Sequence, residues 1–361
     1  MRRADQTLTV DQVHRMRTRG QLHAHELSAT SEPLPAAKNL CLGQWVMIGA
    51  LALILGVSGC STPPSAWPAG KSPRILASFP PLYCFAKNLV DDDAAVLSLL
   101  TATGPHDYHV TPKDALVVQG ADLFLINGLG LDDAFTSRLK NSSGNIKLRF
   151  IPLGEAIPTK QLRKLTEEDK HDHHGHSHAH GTHDPHVWLG IPEAVVMVER
   201  LRDELKKADP ARSADYDSRA RAYVARLKQL QAEGQELLSK IDPEKRQLIT
   251  MHDSLYYLAR SFGLNIVASI QPRAGVELDA NQMARLIKLC EGRNVRAITV
   301  EPQYPENAAR TLSQEVERKV GQAPRIVPVD TLETAVESDL NADWYETKMR
   351  QNLKNLVDGL Q

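Results

Sequence analysis

The sequence predicts an α/β protein of two lobes, each with a mainly parallel sheet, joined by a single long helix. Three observations predict it. Short apolar runs alternate with helical patterns between residues 74 and 151, the signature of βαβ units. The alternation resumes beyond Asp242-Pro243. Between these stretches lies the longest helical pattern of the chain, residues 210–240, with Tyr216, Tyr223, Val224, Leu227, Leu230, Leu237 and Leu238 spaced by threes and fours.

Taken in order, residues 74–79, 95–100, 121–127 and 147–151 read as strands, and 81–90, 112–120 and 133–140 as helices. Residues 192–208 form an amphipathic helix with proline near its start, where the missing N–H costs nothing. The long pattern follows; at 1.5 Å per residue, a helix of about 30 residues spans about 45 Å, a whole small domain. In the second half, strands are expected over 247–251, 265–268, 297–301 and 324–329. Helices are expected over 254–262, 279–291, 305–321 and 343–360. The implied organisation is an N-terminal extension over 1–60, a tether over 61–73, a first lobe over 74–209, the connecting helix over 210–241 and a second lobe over 242–361.

The chain has 361 residues with 43 Lys and Arg against 44 Asp and Glu. Six of the former and four of the latter fall before residue 61, so the remainder carries a net charge near −3. No basic excess or stripe marks a nucleic-acid binder. Lys38 precedes an uncharged apolar run over 45–59, too short for a comfortable membrane span and suited to a signal-peptide core. It ends in Val57-Ser58-Gly59-Cys60, similar to the lipobox of bacterial lipoproteins, in which the cysteine is lipidated and becomes the mature N-terminus. The alternative is a membrane anchor that happens to contain a cysteine. The long polar stretch ahead of the apolar run fits a start codon assigned too early. Ser61–Pro73, rich in Pro, Ser and Gly, reads as a tether. Cys84 and Cys290 fall in separate helical patterns, and no CxxC pair offers a thiolate zinc site.

Residues 170–189, KHDHHGHSHAHGTHDPHVWL, place seven histidines (His171, His173, His174, His176, His178, His180 and His183) in a segment too polar to form a core. Neutral imidazole is a common metal ligand, and such a run suits a borderline-soft divalent ion, zinc above all. An eighth, His186, precedes the apolar Val187-Trp188-Leu189 and is expected to be buried. In open α/β sheets, ligands bind beyond the carboxyl ends of the strands. Applied here, that rule selects His106 after the second strand, His252 after the strand at 247–251, and Asp330 after the strand at 324–329. Glu301, at the end of its strand, is the fallback carboxylate, and His109 a weaker, solvent-facing candidate. Each has a bland alternative: a turn residue, a further loop histidine, a core histidine, a helix N-cap. Taken together, beside the histidine run, three imidazoles and one carboxylate make a reasonable zinc set.

The motifs SFPPLYCFAKNLV, GPHDYHVTPKD, ADLFLINGLGLDD, DPHVWL, MHDSLYYLARSFGL and ITVEPQ, in that order, resemble the zinc-binding lipoproteins that serve ATP-driven bacterial metal importers, the ZnuA/TroA-like solute-binding proteins. The likeness covers residues 74–361. It implies the metal-binding solute-binding protein fold, with His106, His186 and His252 as ligands and Asp330 or a water in fourth place. It also implies Zn²⁺ rather than Mn²⁺ as the transported ion, since manganese-binding relatives carry Glu where this chain has His252. The implied partners are an ABC permease and its ATPase, with a lipid-anchored monomer outside the cytoplasmic membrane, in the periplasm or at the cell surface. His109-Val110 depart from the family's usual Glu-Pro. Two rival readings are a surface metal buffer or adhesin without a permease, and a zinc hydrolase with Glu301 as base. The hydrolase lacks an HExxH motif, and a fourth protein ligand would close its metal site.

Overall fold

In the computed structural model, residues 66–165, 181–271 and 279–361 are described. The first lobe holds strands β1 (Arg74–Ala77), β2 (Ala95–Ser98), β3 (Leu123–Ile126) and β4 (Arg149–Pro152). They form a fully parallel sheet in the order β2-β1-β3-β4. The second holds β5 (Gln247–His252), β6 (Asn265–Gln271), β7 (Ala297–Val300) and β8 (Arg325–Pro328) in the order β6-β5-β7-β8. The two sheets therefore share one topology, a duplication of architecture that short-period repeats in the sequence do not reveal.

Helices α1 (Pro80–Val90), α2 (Pro112–Gln119) and α3 (Asp133–Ser143) make the crossovers of the first lobe. Pro80 and Pro81 open α1, where a lost N–H has no intrahelical partner to lose. Thr111 and Asp114 form a capping box at the start of α2. Helix α4 (Ile191–Ala208) leads into α5 (Ser213–Ser239), the long connecting helix. Its 27 residues span about 40 Å. The second lobe carries α6 (Tyr256–Phe262), α7 (Ala280–Glu291), α8 (Asn307–Val320) and the closing α9 (Trp344–Leu360).

The core explains how the lobes are held. Along β5, alternate residues face opposite sides. Ile249 and Met251 pack with Ile298, Leu286, Leu312 and Val316 under α7 and α8. Leu248 faces the other way and joins a continuous core that includes Leu76, Phe85, Tyr223, Leu227, Tyr345 and Leu353. One face of the second sheet thus shares a core with the first lobe, across α5 and α9. Polar contacts reinforce it: Arg226 on α5 pairs with both Asn88 on α1 and Glu346 on α9. Cys84 and Cys290 are separate buried thiols. The proposed leader, Cys60 and six of the seven loop histidines, His171 to His180, lie outside the described residues. Among the described residues, no helix is long and apolar enough to cross a membrane.

Candidate metal centre

Four side chains converge where the carboxyl ends of the two sheets meet. His106 lies in the loop after β2, His186 just before a single 3₁₀ turn at Val187–Leu189, and His252 is the last residue of β5. The fourth member is Glu333, five residues past β8. One ligand atom from each falls within 4.8 Å of all the others.

The spacing suits a small ion. Four donors placed tetrahedrally about 2.0–2.1 Å from a zinc ion would stand roughly 3.3 Å apart. His106 Nε2 and His186 Nε2 are 3.2 Å apart, and Glu333 Oε1 lies 3.7 Å from the first and 3.9 Å from the second. Burial adds a chemical argument. His252 Nε2 and both Glu333 carboxylate oxygens are buried with no hydrogen-bond partner. Orphaned buried polar atoms are costly, and a shared cation would satisfy all three.

Neighbours fix how the rings present themselves. Asp184 Oδ1 accepts from both the backbone N–H and Nδ1 of His186, at 3.0 and 2.8 Å. Glu301 Oε1 is hydrogen-bonded to His252 Nδ1. With Nδ1 engaged, each imidazole turns Nε2 toward the cluster, the carboxylate–histidine arrangement of many metal sites. Burial alone would depress the proton affinity of His252; the charge and hydrogen bond of Glu301 outweigh it, and the net shift is upward. Burial pushes the Glu333 carboxyl up to about 7, against the opposing pull of His252 and His186.

Sequence-recognised motifs build the cradle. In ADLFLINGLGLDD, buried Asp132 accepts from Asn127 N, Gly128 N and Ser78 Oγ. Asn127 Nδ2 in turn donates to the carbonyl of Pro185, the residue before His186, at 3.0 Å. Trp188 donates to the Thr331 carbonyl at 2.8 Å, tying the DPHVWL segment to the turn that carries Glu333. Gly104 sits so close that a Cβ there would lie 2.9 Å from Glu333 Oε2. Tyr304 Oη donates to Asp107 Oδ2 at 3.1 Å, linking the lobes beside His106. A cavity of about 100 Å³ opens next to His106, with Tyr108, Phe135, Arg138 and His183 among its lining residues.

Asp330 does not join the cluster. Its carboxylate pairs with Lys348 at 3.1 Å and accepts from Leu332 N at 2.8 Å, while its backbone is held by Asn352. The carboxylate therefore caps a turn, the alternative weighed from sequence. That turn places Leu332 at φ 62°, a left-handed conformation held by full burial of its side chain, and swings Glu333 inward. Glu301, the fallback carboxylate, stands behind His252 and is not part of the four-residue cluster. Glu333 was missed because residue type and distance from the strand end favour Asp330. The distinguishing signal lies on α9: Lys348 and Asn352, four apart, engage Asp330 from one helix face. His183 sits in an isolated bridge with Lys164 and lines the cavity rather than the cluster. His109 is exposed and outside the cluster.

The profile of the family described as zinc-uptake complex component A, periplasmic (ZnuA), matches residues 75–359. The chain belongs to this family. The high-affinity zinc uptake system protein ZnuA of Bacillus subtilis is 30% identical over 327 residues, which cover 88% of this chain and 97% of that one. The zinc-binding protein AdcA of Streptococcus pyogenes serotype M1 is 29% identical over 294 residues, 78% of this chain and 55% of the relative. The chain thus spans about half the length of that streptococcal protein. Among solved structures, the solute-binding protein FpvC of Pseudomonas aeruginosa in complex with Mn²⁺ superposes with a TM-score of 0.67 at 28% identity, covering 80% of this chain and 98% of that one. The two-lobed parallel-sheet fold is that of these solute-binding proteins.

Proposed function

We propose that this chain captures Zn²⁺ outside the cytoplasmic membrane and hands it to the permease of an ABC importer. The observation that carries the reading is the convergence of His106, His186, His252 and Glu333, donated by both lobes, around one ion-sized point. Three imidazoles and a carboxylate form a borderline-soft set that suits zinc better than the harder manganese ion. Membership of the zinc-uptake family and the zinc-binding names of its relatives support the same cargo. Export as a lipoprotein through Cys60 and a monomeric state belong to this proposal; a streptococcal relative is named a zinc-binding lipoprotein.

A hydrolytic role fits less well. Glu333 supplies a fourth protein ligand, whereas catalytic zinc keeps a position open for water. The adjoining cavity of about 100 Å³ is smaller than the roughly 300–1,000 Å³ of ordinary ligand pockets. Glu301, the candidate base, is engaged with His252. Isothermal titration of zinc into the His106→Ala, His186→Ala and His252→Ala variants tests the assignment. Each is expected to lose the tight site. Survival of that site in all three refutes it. Loss of zinc uptake on deletion, in cells that retain the permease and ATPase, separates delivery from surface buffering.

A further inference from the structure

Behind the cluster lies an arginine that joins the two halves of the cage. Arg163, in the first lobe, makes a bidentate pair with Asp253 of the second lobe, Nη1 and Nη2 each 2.7 Å from a carboxylate oxygen. Nη1 also stands 3.4 Å from Asp184 Oδ2. Asp253 directly follows His252, and Asp184 is the carboxylate that orients His186. One guanidinium thus bridges the carboxylates attached to a ligand from each lobe. It stacks over the ring of Tyr256, 5.2 Å from its centroid, which fixes its plane.

The main chain around Arg163 is anchored independently of its side chain. Its N–H donates to Tyr257 Oη at 3.1 Å, and its carbonyl accepts from Asp184 N at 2.9 Å. Removing the guanidinium therefore leaves these main-chain anchors in place while deleting the bridge and the stacking on Tyr256. Any separation of His106 and His186 from His252 and Glu333 would stretch the Arg163–Asp253 pair, because the pair spans the same two lobes. Bidentate arginine–carboxylate pairs are short, directional and partly shielded here, so they resist such stretching more than a surface lysine pair would.

We propose that Arg163 is a positioning residue, a clamp across the lobes that sets how fast the bound ion leaves. The proposal rests on the reading that the four-residue cluster holds zinc. The test uses the full chain loaded with one equivalent of Zn²⁺ and mixed rapidly with excess chelator. The variants are Arg163→Gln, Asp253→Asn, Arg163→Lys and the Arg163→Gln/Asp253→Asn double.

Each of the first two is expected to speed dissociation by about tenfold or more, the usual scale for outer-shell partners of a metal site. The double variant should be no faster than Arg163→Gln alone, because that change already removes the whole bridge, whereas Asp253→Asn leaves the contact to Asp184. Arg163→Lys should fall between, since a point charge cannot bridge two carboxylates. Association rates should stay unchanged, which a general loss of structure would not produce. Dissociation within twofold of the parent in both singles overturns the clamp. If Arg163→Gln does not fold, Asp253→Asn and Arg163→Lys decide the same question. Failure of the parent chain to bind zinc one-to-one would refute the functional reading instead.

Discussion

Glu333 is a fully buried carboxylate with no hydrogen-bond partner, and its carboxyl is pushed up to about 7. A displacement of that size from the ordinary 4.5 corresponds to an ionisation penalty on the order of 3 kcal/mol in the metal-free protein. The sign follows from linkage. A group whose proton is held more tightly when folded adds stability at low pH and loses it as pH rises through its folded pKa. Glu333 therefore stabilises the metal-free fold near pH 4.5 and ceases to do so above about pH 7. The upward shift of His252 acts in the same direction at higher pH. The melting temperature of the chelator-treated protein should fall between pH 5 and 8 in that window, and zinc should add most at the alkaline end, where ligands are already unprotonated. A Glu333→Gln change should raise metal-free stability at pH 8 while weakening zinc binding by at least about tenfold. Asp330→Asn should leave zinc affinity within about twofold, at a cost within about 1 kcal/mol for the weakened turn and the Lys348 pair. Equal losses of affinity in both variants would put Asp330 back among the ligands. The three histidines were legible in the sequence because each sits in a distinctive motif: His106 in the loop after a strand, His186 ahead of the apolar Val187-Trp188-Leu189, His252 at a strand end. Glu333 was not, because its place depends on the left-handed Leu332 and on α9, contacts that strand-end spacing cannot express.

At the scale of elements, α5 does more than connect. Gly234 lies where a Cβ would come within 2.6 Å of Phe262 Cε1 on α6 and 2.8 Å of Leu353 Cδ1 on α9. The helix gives up local propensity there so that three elements meet closely. Ala at 234 gains about 1 kcal/mol of intrinsic helix propensity but must displace two packed side chains, at a cost of roughly 1–3 kcal/mol. Denaturant unfolding of Gly234→Ala should show net destabilisation, and Gly234→Leu a larger one. An unchanged midpoint would mean that α5 is loosely held. The long periodicity of this helix was plain in the sequence, as was the alternation of strands and helices, because burial repeats every two or every 3.6 residues. Ends were less plain. Strand β6 runs to Gln271, beyond the apolar run that announces it, because His252 pairs with Gln271 and extends the ladder.

For the whole molecule, one core shared by the first lobe, α5, α9 and one face of the second sheet leaves little freedom for a wide hinge. Zinc should tighten the cleft locally, so solution scattering should give radii of gyration for zinc-loaded and metal-free protein that differ by no more than about 1 Å, a shear-like rather than hinge-like change. A contraction of several ångströms would contradict the shared core. The duplicated sheet order escaped sequence reading because topology is set by crossovers, which leave no short-range repeat. Because the four cluster residues lie outside the histidine run, removing residues 171–180 should leave one tight site. The most direct test of the central claim is zinc-edge anomalous diffraction from crystals of that shortened chain, loaded with one equivalent. The account predicts a single strong peak about 2.0–2.1 Å from Nε2 of His106, His186 and His252 and from a Glu333 oxygen. A peak elsewhere, or one bonded by Asp330 with Glu333 out of reach, would contradict it.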